Sequence, residues 1–207
     1  MAKLPDYKAY ALLKKYGIPI APFVLAKNIK QAQAAAGKFG YPVVAKIDAE
    51  IIHKAKAGCV EVVRNEKELA HAFPEIVKNA KKRTQKISGI LIQPFIEGAE
   101  LIVGGKRDAT FDTIVMFGSG GVLADVLKDV TFRVLPIDRL EAELMVQETK
   151  APAAIPALAS QANQVAGVIL RVARLLEANP KITELDINPL FLTTKGPLAA
   201  DVRIVEK

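Results

Sequence analysis

The sequence predicts an α/β protein, of the α+β kind, built from two lobes. Of its 207 residues, 51% are hydrophobic and 25% are charged, a balance typical of globular proteins that argues against disorder. At roughly 150 residues per domain, this length suits one large domain or two small subdomains. Segments of helical periodicity alternate with short runs typical of strands. The pattern of elements and the charge both change near residues 95–98, so we divide the chain into lobes at 1–97 and 98–207.

In the first lobe, three predicted helices are interspersed with three predicted strands. The helices follow Asp6, Asn28 and Asn65, residues of the types that begin helices, and the first two end at glycines. Short apolar or alternating runs predict the strands, which cover residues 42–47, 59–63 and 87–96. Pro94 has no backbone N–H, so it places a break or an edge in the last of these strands.

The second lobe is predicted to contain two antiparallel hairpins and two helices. The hairpins pair residues 99–105 with 112–118 and residues 182–194 with 198–205. The first hairpin turns at Lys106, Arg107 and Asp108, and a glycine-rich turn follows at residues 118–121. A strand at 130–137 precedes the first helix, and the helices cover residues 138–147 and about 156–177.

The charge of the chain is uneven. Lys and Arg number 29 and Asp and Glu 22, a net charge of +7 that suggests an anionic partner. Residues 1–97 carry 17 basic and 8 acidic side chains (+9), whereas residues 98–207 carry 12 and 14 (−2). A nucleic-acid-binding protein more often concentrates its basic residues on one helix or tail, and it needs aromatic side chains that stack on bases. With four Tyr and no Trp, a nucleic-acid partner is disfavoured.

The cysteine count and the apolar runs bear on the compartment. One cysteine cannot form an intramolecular disulfide, which favours a reducing, cytoplasmic location. No apolar run approaches the roughly 18 residues that a membrane helix needs, so we expect no membrane partner. The first ten residues lack the apolar core of a signal peptide.

A cluster of basic residues follows the strand at 42–47. Lys46, on this strand, either reaches a phosphate in a cleft or is an edge lysine whose ammonium reaches solvent. One short loop adds hydrogen-bond donors from the side chains of His53, Lys54 and Lys56. Gly58 in the same loop lets backbone amides approach an anion closely. His53 is either a phosphate ligand or acceptor, or a loop histidine packed on a strand. The chain has no Walker A pattern, which excludes a P-loop protein.

Oxygen donors cluster on the C-terminal hairpin. Glu184, Asp186 and Asn188 alternate along one face of a strand, and pairing can bring Asp201 opposite them. A carboxylate and an amide oxygen, with phosphates completing the shell, suit Mg²⁺, although an ordinary polar strand face is the alternative.

The segment between the lobes is the third candidate binding site. Gln93, Pro94, Phe95 and Ile96 can offer backbone groups to an adenine edge, and a following carboxylate can accept hydrogen bonds from ribose hydroxyls.

Seven segments in one order resemble the ATP-grasp subunit of NDP-forming acyl-CoA synthetases, most closely the β subunit of ADP-forming acetate–CoA ligases. They run from about Lys8 to Ile204 and read VVAKI, IIHKAKAGCV, ILIQPFIEGAELIVGG, KRDATFDTIVMFGSGG, DVTFRVLP, ELDINPL and ADVRI. The resemblance implies an ATP-grasp fold with ATP or ADP held in a cleft between the two lobes.

The resemblance also implies roles for individual residues. Lys46 would contact the nucleotide phosphates, with the loop of Lys54, Lys56, Ala57 and Gly58 over them. The further assignments are Gln93, Pro94, Phe95 and Ile96 for adenine, Glu100 for ribose, Asn188 and Asp201 for Mg²⁺, and His53 for transient receipt of phosphate.

The implied reaction is acyl-CoA + ADP + Pi ⇌ carboxylate + CoA + ATP. The family's main phosphohistidine and its CoA site belong to a separate α subunit, so this chain would act as half of an α2β2 ligase. The alternative is a non-catalytic nucleotide-sensing or regulatory module. Three residues depart from the family pattern: Cys59 replaces a frequent glycine, Ser119 an apolar residue and Asp125 a glutamate.

Overall fold

The fold is taken from a computed structural model that describes residues 2–51, 54–121 and 129–207. In chain order the elements are β1 (Ala2–Lys3), α1 (Asp6–Lys15), β2 (Val24–Ala26), α2 (Ile29–Phe39), β3 (Val43–Ala49), β4 (Val60–Val63), α3 (Glu66–Lys81), β5 (Ile87–Pro94), β6 (Ala99–Asp108), β7 (Asp112–Ser119), β8 (Val130–Val134), α4 (Arg139–Glu148), α5 (Ala151–Ala154), α6 (Pro156–Ala178), β9 (Ile182–Thr193), β10 (Gly196–Ala199) and β11 (Val202–Glu206).

The chain divides into two compact units that do not follow one cut in the sequence. Unit 1 comprises Met1–Leu4, Ala9–Ile20 and Ile96–Lys207, and unit 2 comprises Pro5–Lys8 and Ala21–Phe95. Most of the first twenty residues therefore go with the C-terminal part of the chain, because β1 pairs with β11. The sequence contains no pattern that shows this pairing, since the two strands lie at opposite ends of the chain.

Unit 1 is built on an antiparallel sheet whose main path runs β1-β11-β9-β6-β7-β8, with β10 paired to β9. Helix α6 packs on β6, β7 and β9. Its fully buried side chains recur at helical spacing and include Val165, Ile169, Val172 and Leu176. This apolar stripe agrees with the long helix predicted from the sequence.

Unit 2 is a four-stranded antiparallel sheet in the order β2-β5-β3-β4. The side chains of Asn28 and Asn65 accept hydrogen bonds from the backbone N–H groups of Gln31 and Glu68, at 3.0 and 2.9 Å, so both predicted helix caps are confirmed. The core is aliphatic and its fully buried members include Ala45, Ile47, Leu69, Ile76, Ile90 and Ile92. Strand β5 lies between β2 and β3, so Pro94 ends a central strand and does not mark an edge.

The first hairpin turns later than the sequence predicted. Lys106, Arg107 and Asp108 continue β6, and Asp108 pairs with Asp112. The Asp108 carboxylate accepts hydrogen bonds from the N–H groups of Thr110 and Phe111, at 2.8 and 3.1 Å, which lowers the pKa of this carboxyl group. The turn prediction was wrong because charged residues were taken as a sign of a loop, whereas here they lie at the exposed end of a strand pair.

Within the part of the chain that the structure describes, no helix is long and apolar enough to cross a membrane.

Candidate functional site

Lys46 lies in the middle of the unit 2 sheet. It is on β3, paired with Val60 of β4 and Leu91 of β5, and is 4% exposed. Its neighbours Ala45 and Ile47 face the aliphatic core of the unit. The sequence allowed an edge lysine at this position, but the pairing on both sides of β3 excludes that alternative. A buried ammonium on a central strand needs an anionic partner.

Asp6 supplies that partner. Its carboxylate forms an ion pair with Lys54, and its Oδ2 atom lies 3.9 Å from the Nζ atom of Lys46. Asp6 is fully buried and Lys54 is 9% exposed. The structure thus brings together two of the lysines assigned to phosphate, through an aspartate that the sequence had only marked as preceding a helix.

A second buried carboxylate completes this group. Asp48, also fully buried, accepts a 2.7 Å hydrogen bond from the backbone N–H of Asp6 through its Oδ1 atom. Its Oδ2 atom has no hydrogen-bond partner among the described residues. Burial raises the pKa of Asp48, and the hydrogen bond from Asp6 opposes this shift. We call Asp6, Lys46, Asp48 and Lys54 the buried ion cluster.

The loop that carries Lys54 is held by hydrogen bonds between its own backbone groups. The N–H of Gly58 donates to the carbonyl of Ala55 at 3.0 Å, and the N–H of Cys59 donates to the carbonyl of Lys54 at 2.9 Å. Gly58 has a φ of +63°, and a Cβ there would lie 2.8 Å from Asn79 Nδ2, so this position requires glycine. Lys56 is exposed and Ala57 is half-buried. Among the described residues of this loop, Lys56 is thus the exposed cation, and the backbone beside it is held by hydrogen bonds.

Cys59 and His53 are the remaining residues of this region that the sequence singled out. Cys59 is fully buried and burial raises the pKa of its thiol, as expected for a small buried side chain. His53, the predicted phosphate acceptor, lies outside the described residues, as does Asp125.

The residues assigned to adenine are divided between the two units. Gln93 and Pro94 end the last strand of unit 2 and Phe95 follows it, whereas Ile96 begins the main segment of unit 1. Gln93 is 4% exposed, and the N–H of Phe95 donates to the carbonyl of Pro42 at 3.0 Å. Phe95 is 43% exposed, which is high for a large apolar residue.

Glu100, assigned to ribose, lies against the glycine-rich turn in unit 1. The N–H of Gly120 donates to its carbonyl at 2.8 Å. A Cβ at Gly121 would lie 2.5 Å from Glu100 Oε2, so a side chain there would displace this carboxylate. In the same turn Ser119 is fully buried and donates to Asp129 Oδ2 at 2.6 Å, which accounts for a polar residue at this position.

The predicted metal ligands are neighbours in unit 1. Strand β9 pairs with β11 so that Ile187 opposes Val202, and the N–H of Asn188 donates to the carbonyl of Asp201 at 3.3 Å. Asn188 and Asp201 therefore occupy adjacent positions across the strand pair. Leu185 and Ile187 point into the core, which leaves Glu184, Asp186 and Asn188 on the other face as the alternation predicted.

Asp186 is one of the candidate oxygen donors to which the family resemblance assigned no role. Its Oδ1 atom is buried and has no hydrogen-bond partner in the described part of the chain. Burial, together with Glu184 and Asp201, raises the pKa of Asp186 to about 6, against the opposing effect of Arg203. A carboxylate oxygen left in this state fits a cation, as do the Asn188 amide and the Asp201 carboxylate beside it.

A cavity of about 320 Å³ in unit 1 is reached by Asp186 but is not lined by Asn188 or Asp201. Asp186 and Glu184 line it together with Lys106 and an apolar wall that includes Ile102, Met116 and Phe132. The structure shows no group of three or more His, Cys, Asp or Glu side chains placed to hold a metal among residues 2–51, 54–121 and 129–207. The donor set thus contains two carboxylates and one amide, which suits a cation that takes most of its ligands from elsewhere.

The model of the ATP-grasp domain matches residues 2–205 of the chain. The β subunit of ADP-forming acetate–CoA ligase I from Pyrococcus furiosus is 39% identical over 98% of this chain and 91% of its own length. The ADP-forming acetate–CoA ligase I of Archaeoglobus fulgidus is 40% identical, and the match covers 94% of this chain but only 30% of that protein. The chain therefore matches a whole subunit in one relative and under a third of a longer protein in the other.

Solved structures of related enzymes match the fold of this chain. Acetyl-coenzyme A synthetase 1 of Ca. Korarchaeum cryptofilum, in complex with coenzyme A and Ca-AMPCP, matches with a TM-score of 0.90 and 35% identity, over 99% of this chain and 93% of that one. A further structure of that enzyme (TM-score 0.81, 30% identity, the same coverage) holds coenzyme A and Mg-AMPPCP, with its phosphohistidine segment pointing towards the nucleotide site.

Proposed function

Because the chain belongs to the ATP-grasp family and is homologous to the β subunits of ADP-forming acetate–CoA ligases, we propose that it is the nucleotide-binding subunit of such a ligase. The reaction would be acyl-CoA + ADP + Pi ⇌ carboxylate + CoA + ATP. The observation that carries this proposal is the pair of lysines in the buried ion cluster, Lys46 and Lys54, which are 4% and 9% exposed. Asp6 holds these two ammonium groups close together, and they are the cations that would turn to the nucleotide phosphates.

The residues proposed to contact the nucleotide occur in both units, and each unit is taken by itself. In unit 2, Lys46, Lys54 and Lys56 would neutralise the phosphates, with Ala57 and Gly58 close to them. Gln93, Pro94, Phe95 and Ile96 would contact adenine, and Glu100 would accept from ribose. The placement of the nucleotide between the two lobes stays a prediction.

Mg²⁺ would be held in unit 1 by Asn188 and Asp201. The unpartnered Oδ1 atom of Asp186 supports a cation there and makes this residue a third donor. When bound, Mg²⁺ neutralises phosphate oxygens. The chain's own contribution is to hold the ligand oxygens of Asp186, Asn188 and Asp201 close together, so that little reorganisation is needed when the nucleotide binds.

The phosphoryl group would come from a phosphohistidine on a partner α subunit, which would also bind CoA. In the transfer, the N–P bond of that residue breaks as an oxygen of the ADP β-phosphate forms the new P–O bond. His53 is a proposed intermediate carrier, and an α2β2 assembly and a cytoplasmic location belong to the same proposal.

Reconstitution with the α partner tests the function. The mixture is expected to form ATP from ADP and phosphate only when an acyl-CoA is present, and neither subunit is expected to do so alone. A luciferase assay measures the ATP formed. Nucleotide binding without acyl-CoA-dependent ATP formation would instead indicate a regulatory module.

Replacing Lys46 with alanine is expected to weaken ADP binding by about 1–3 kcal/mol, the range for a lost charge-assisted hydrogen bond. Isothermal titration calorimetry measures the change. Lys78→Ala is the control, because this lysine is in unit 2 but its side chain is 63% exposed. Equal ADP affinity in Lys46→Ala and the wild type would remove Lys46 from the site.

Replacing Asp201 with alanine is expected to raise the Mg²⁺ concentration needed for half-maximal ATP formation by about tenfold or more, since a lost contact between two charges costs about 1.5–3 kcal/mol. A magnesium titration of the reconstituted complex measures this. Glu177→Ala, an exposed acidic residue on α6, controls for loss of negative charge. An unchanged metal requirement in Asp201→Ala would show that the ligand assignment is wrong.

A further inference from the structure

A cavity of about 590 Å³ in unit 1 is lined by residues that have no part in the proposed nucleotide or metal site. It lies against one stripe of helix α6, which provides Gln164, Gly167 and Arg171, and against the turn between β9 and β10. Its volume is in the range of about 300–1,000 Å³ that is usual for small-molecule sites.

The charged lining of this cavity is entirely basic. Arg139, Arg171 and Lys195 line it, and no acidic residue does so among the residues that the structure describes. Arg139 is anchored by Glu143, at 2.5 Å from its Nε atom, and donates to the carbonyl of Asn163 at 3.3 Å. One of the three positive charges is therefore balanced nearby, and two are left facing the cavity.

Arg171 is the half-buried member of this group. Its side chain passes two glycines: a Cβ at Gly17 would lie 3.6 Å from its Nε atom, and a Cβ at Gly167 would lie 3.4 Å from Nη1. Within residues 2–51, 54–121 and 129–207, no hydrogen bond or ion pair joins its guanidinium to another residue. Removing a charge from water without a partner costs free energy, so an anion in the cavity would stabilise Arg171 where it lies.

The wall opposite helix α6 is held in place by hydrogen bonds. Gln161 Nε2 donates to the carbonyl of Thr193 at 2.9 Å, and Thr193 Oγ1 donates to the carbonyl of Gly196 at 2.9 Å. Gly196 has a φ of +121°, and a Cβ there would lie 2.4 Å from Gln164 Oε1. The turn that carries Lys195 is thereby fixed to the helix, so the cavity is formed before any ligand binds.

We propose that this cavity binds a small phosphorylated molecule, larger than inorganic phosphate, as a second ligand of the chain. The Arg171 guanidinium contacts the phosphate, since its planar fork matches two phosphate oxygens. Lys195 neutralises the remaining charge, whereas Arg139, which is paired with Glu143, serves as part of the cavity lining. The amides of Asn163 and Gln164 are available to the uncharged part of the ligand.

Calorimetry with pyrophosphate as the probe tests this site in the full chain. ADP is present at saturation, so that the proposed nucleotide site is filled. A second binding event is expected, and it should weaken about tenfold or more in Arg171→Gln and in Lys195→Gln, because each loses a charge-assisted contact. Arg174→Gln is the matched control, since Arg174 is exposed on the same helix and does not line the cavity.

The outcomes separate this proposal from the proposed function. Normal ADP binding in Arg171→Gln, with loss of the pyrophosphate event, supports a second site. No second event at millimolar pyrophosphate, or an equal loss in Arg174→Gln, overturns the proposal. If the chain does not bind ADP at all, the nucleotide proposal fails, but the dependence of pyrophosphate binding on Arg171 and Lys195 still decides this one. Lys195 is on an exposed turn, so its variant remains informative if Arg171→Gln does not fold.

Discussion

Replacing Asp6 with asparagine is expected to lower the free energy of unfolding by about 3–5 kcal/mol, the usual cost of removing one partner from a buried ion pair. The substitution keeps the shape of the side chain but leaves Lys46 and Lys54 without the carboxylate that both approach. All three side chains are at most 9% exposed, so water cannot replace the lost charge. Urea denaturation at neutral pH measures the change.

A double-mutant cycle separates this charge effect from a simple packing defect. Lys54→Met removes the second charge with a side chain of similar length, and the double variant Asp6→Asn/Lys54→Met should be more stable than Asp6→Asn alone. Asp112→Asn, at a carboxylate that is 87% exposed, should change stability little. If Asp6→Asn loses less than about 1 kcal/mol, or if the two changes simply add, the ion cluster does not hold this region together.

The second large effect concerns Asp186 and depends on pH. The pKa of this carboxyl is about 6 in the folded protein and 3.8 in its reference state, so folding favours the protonated form. The contribution of Asp186 to stability is therefore greatest below pH 3.8, is lost as the pH rises from 3.8 to about 6, and stays absent above that. Asp186→Asn removes the charge and should stabilise the chain by up to about 3 kcal/mol at pH 7.5, with little effect near pH 3.5.

Urea denaturation of both proteins across this pH range tests the prediction, with Asp112→Asn again as the exposed control. The magnesium site adds a second test, because a cation would stabilise the ionised form of Asp186. Excess Mg²⁺ should raise the stability of the wild type at pH 7.5 and leave Asp186→Asn almost unchanged. A variant that is less stable than the wild type at pH 7.5 would contradict the direction of the pKa shift.

Local elements were predicted well where the signal is local. The Asn28 and Asn65 caps depend on hydrogen bonds to residues three positions away, so the residue type and the following periodicity are sufficient. The two predicted hairpins are present for the same reason, since their strands are close in sequence. The turn at Lys106, Arg107 and Asp108 was wrong because polarity alone does not distinguish a turn from an exposed strand end.

The candidate site was predicted in part. Alternation along β9 placed Asp186 and Asn188 on one face, and the structure adds that Asp186 has an unsatisfied buried oxygen. The exposure of a side chain depends on the strands and helices around it, which one sequence does not reveal. Asp6 was missed for a stronger reason, because it is 48 residues from Lys54 and resembles any acidic residue at a helix start.

Capping residues and periodicity in the sequence indicated the order of most helices and strands, because these signals depend on residues a few positions apart. Seven ordered segments resembled the ATP-grasp family, which the family model confirms, and this resemblance named the residues expected to contact phosphate, adenine and metal. The packing of the chain then showed that Lys46 is on a central strand, that Asp6 pairs with it and with Lys54, and that Arg171 lines a basic cavity in unit 1. Burial and ion pairing between distant residues arise when the chain packs, and these contacts decide which of the candidate charges have partners.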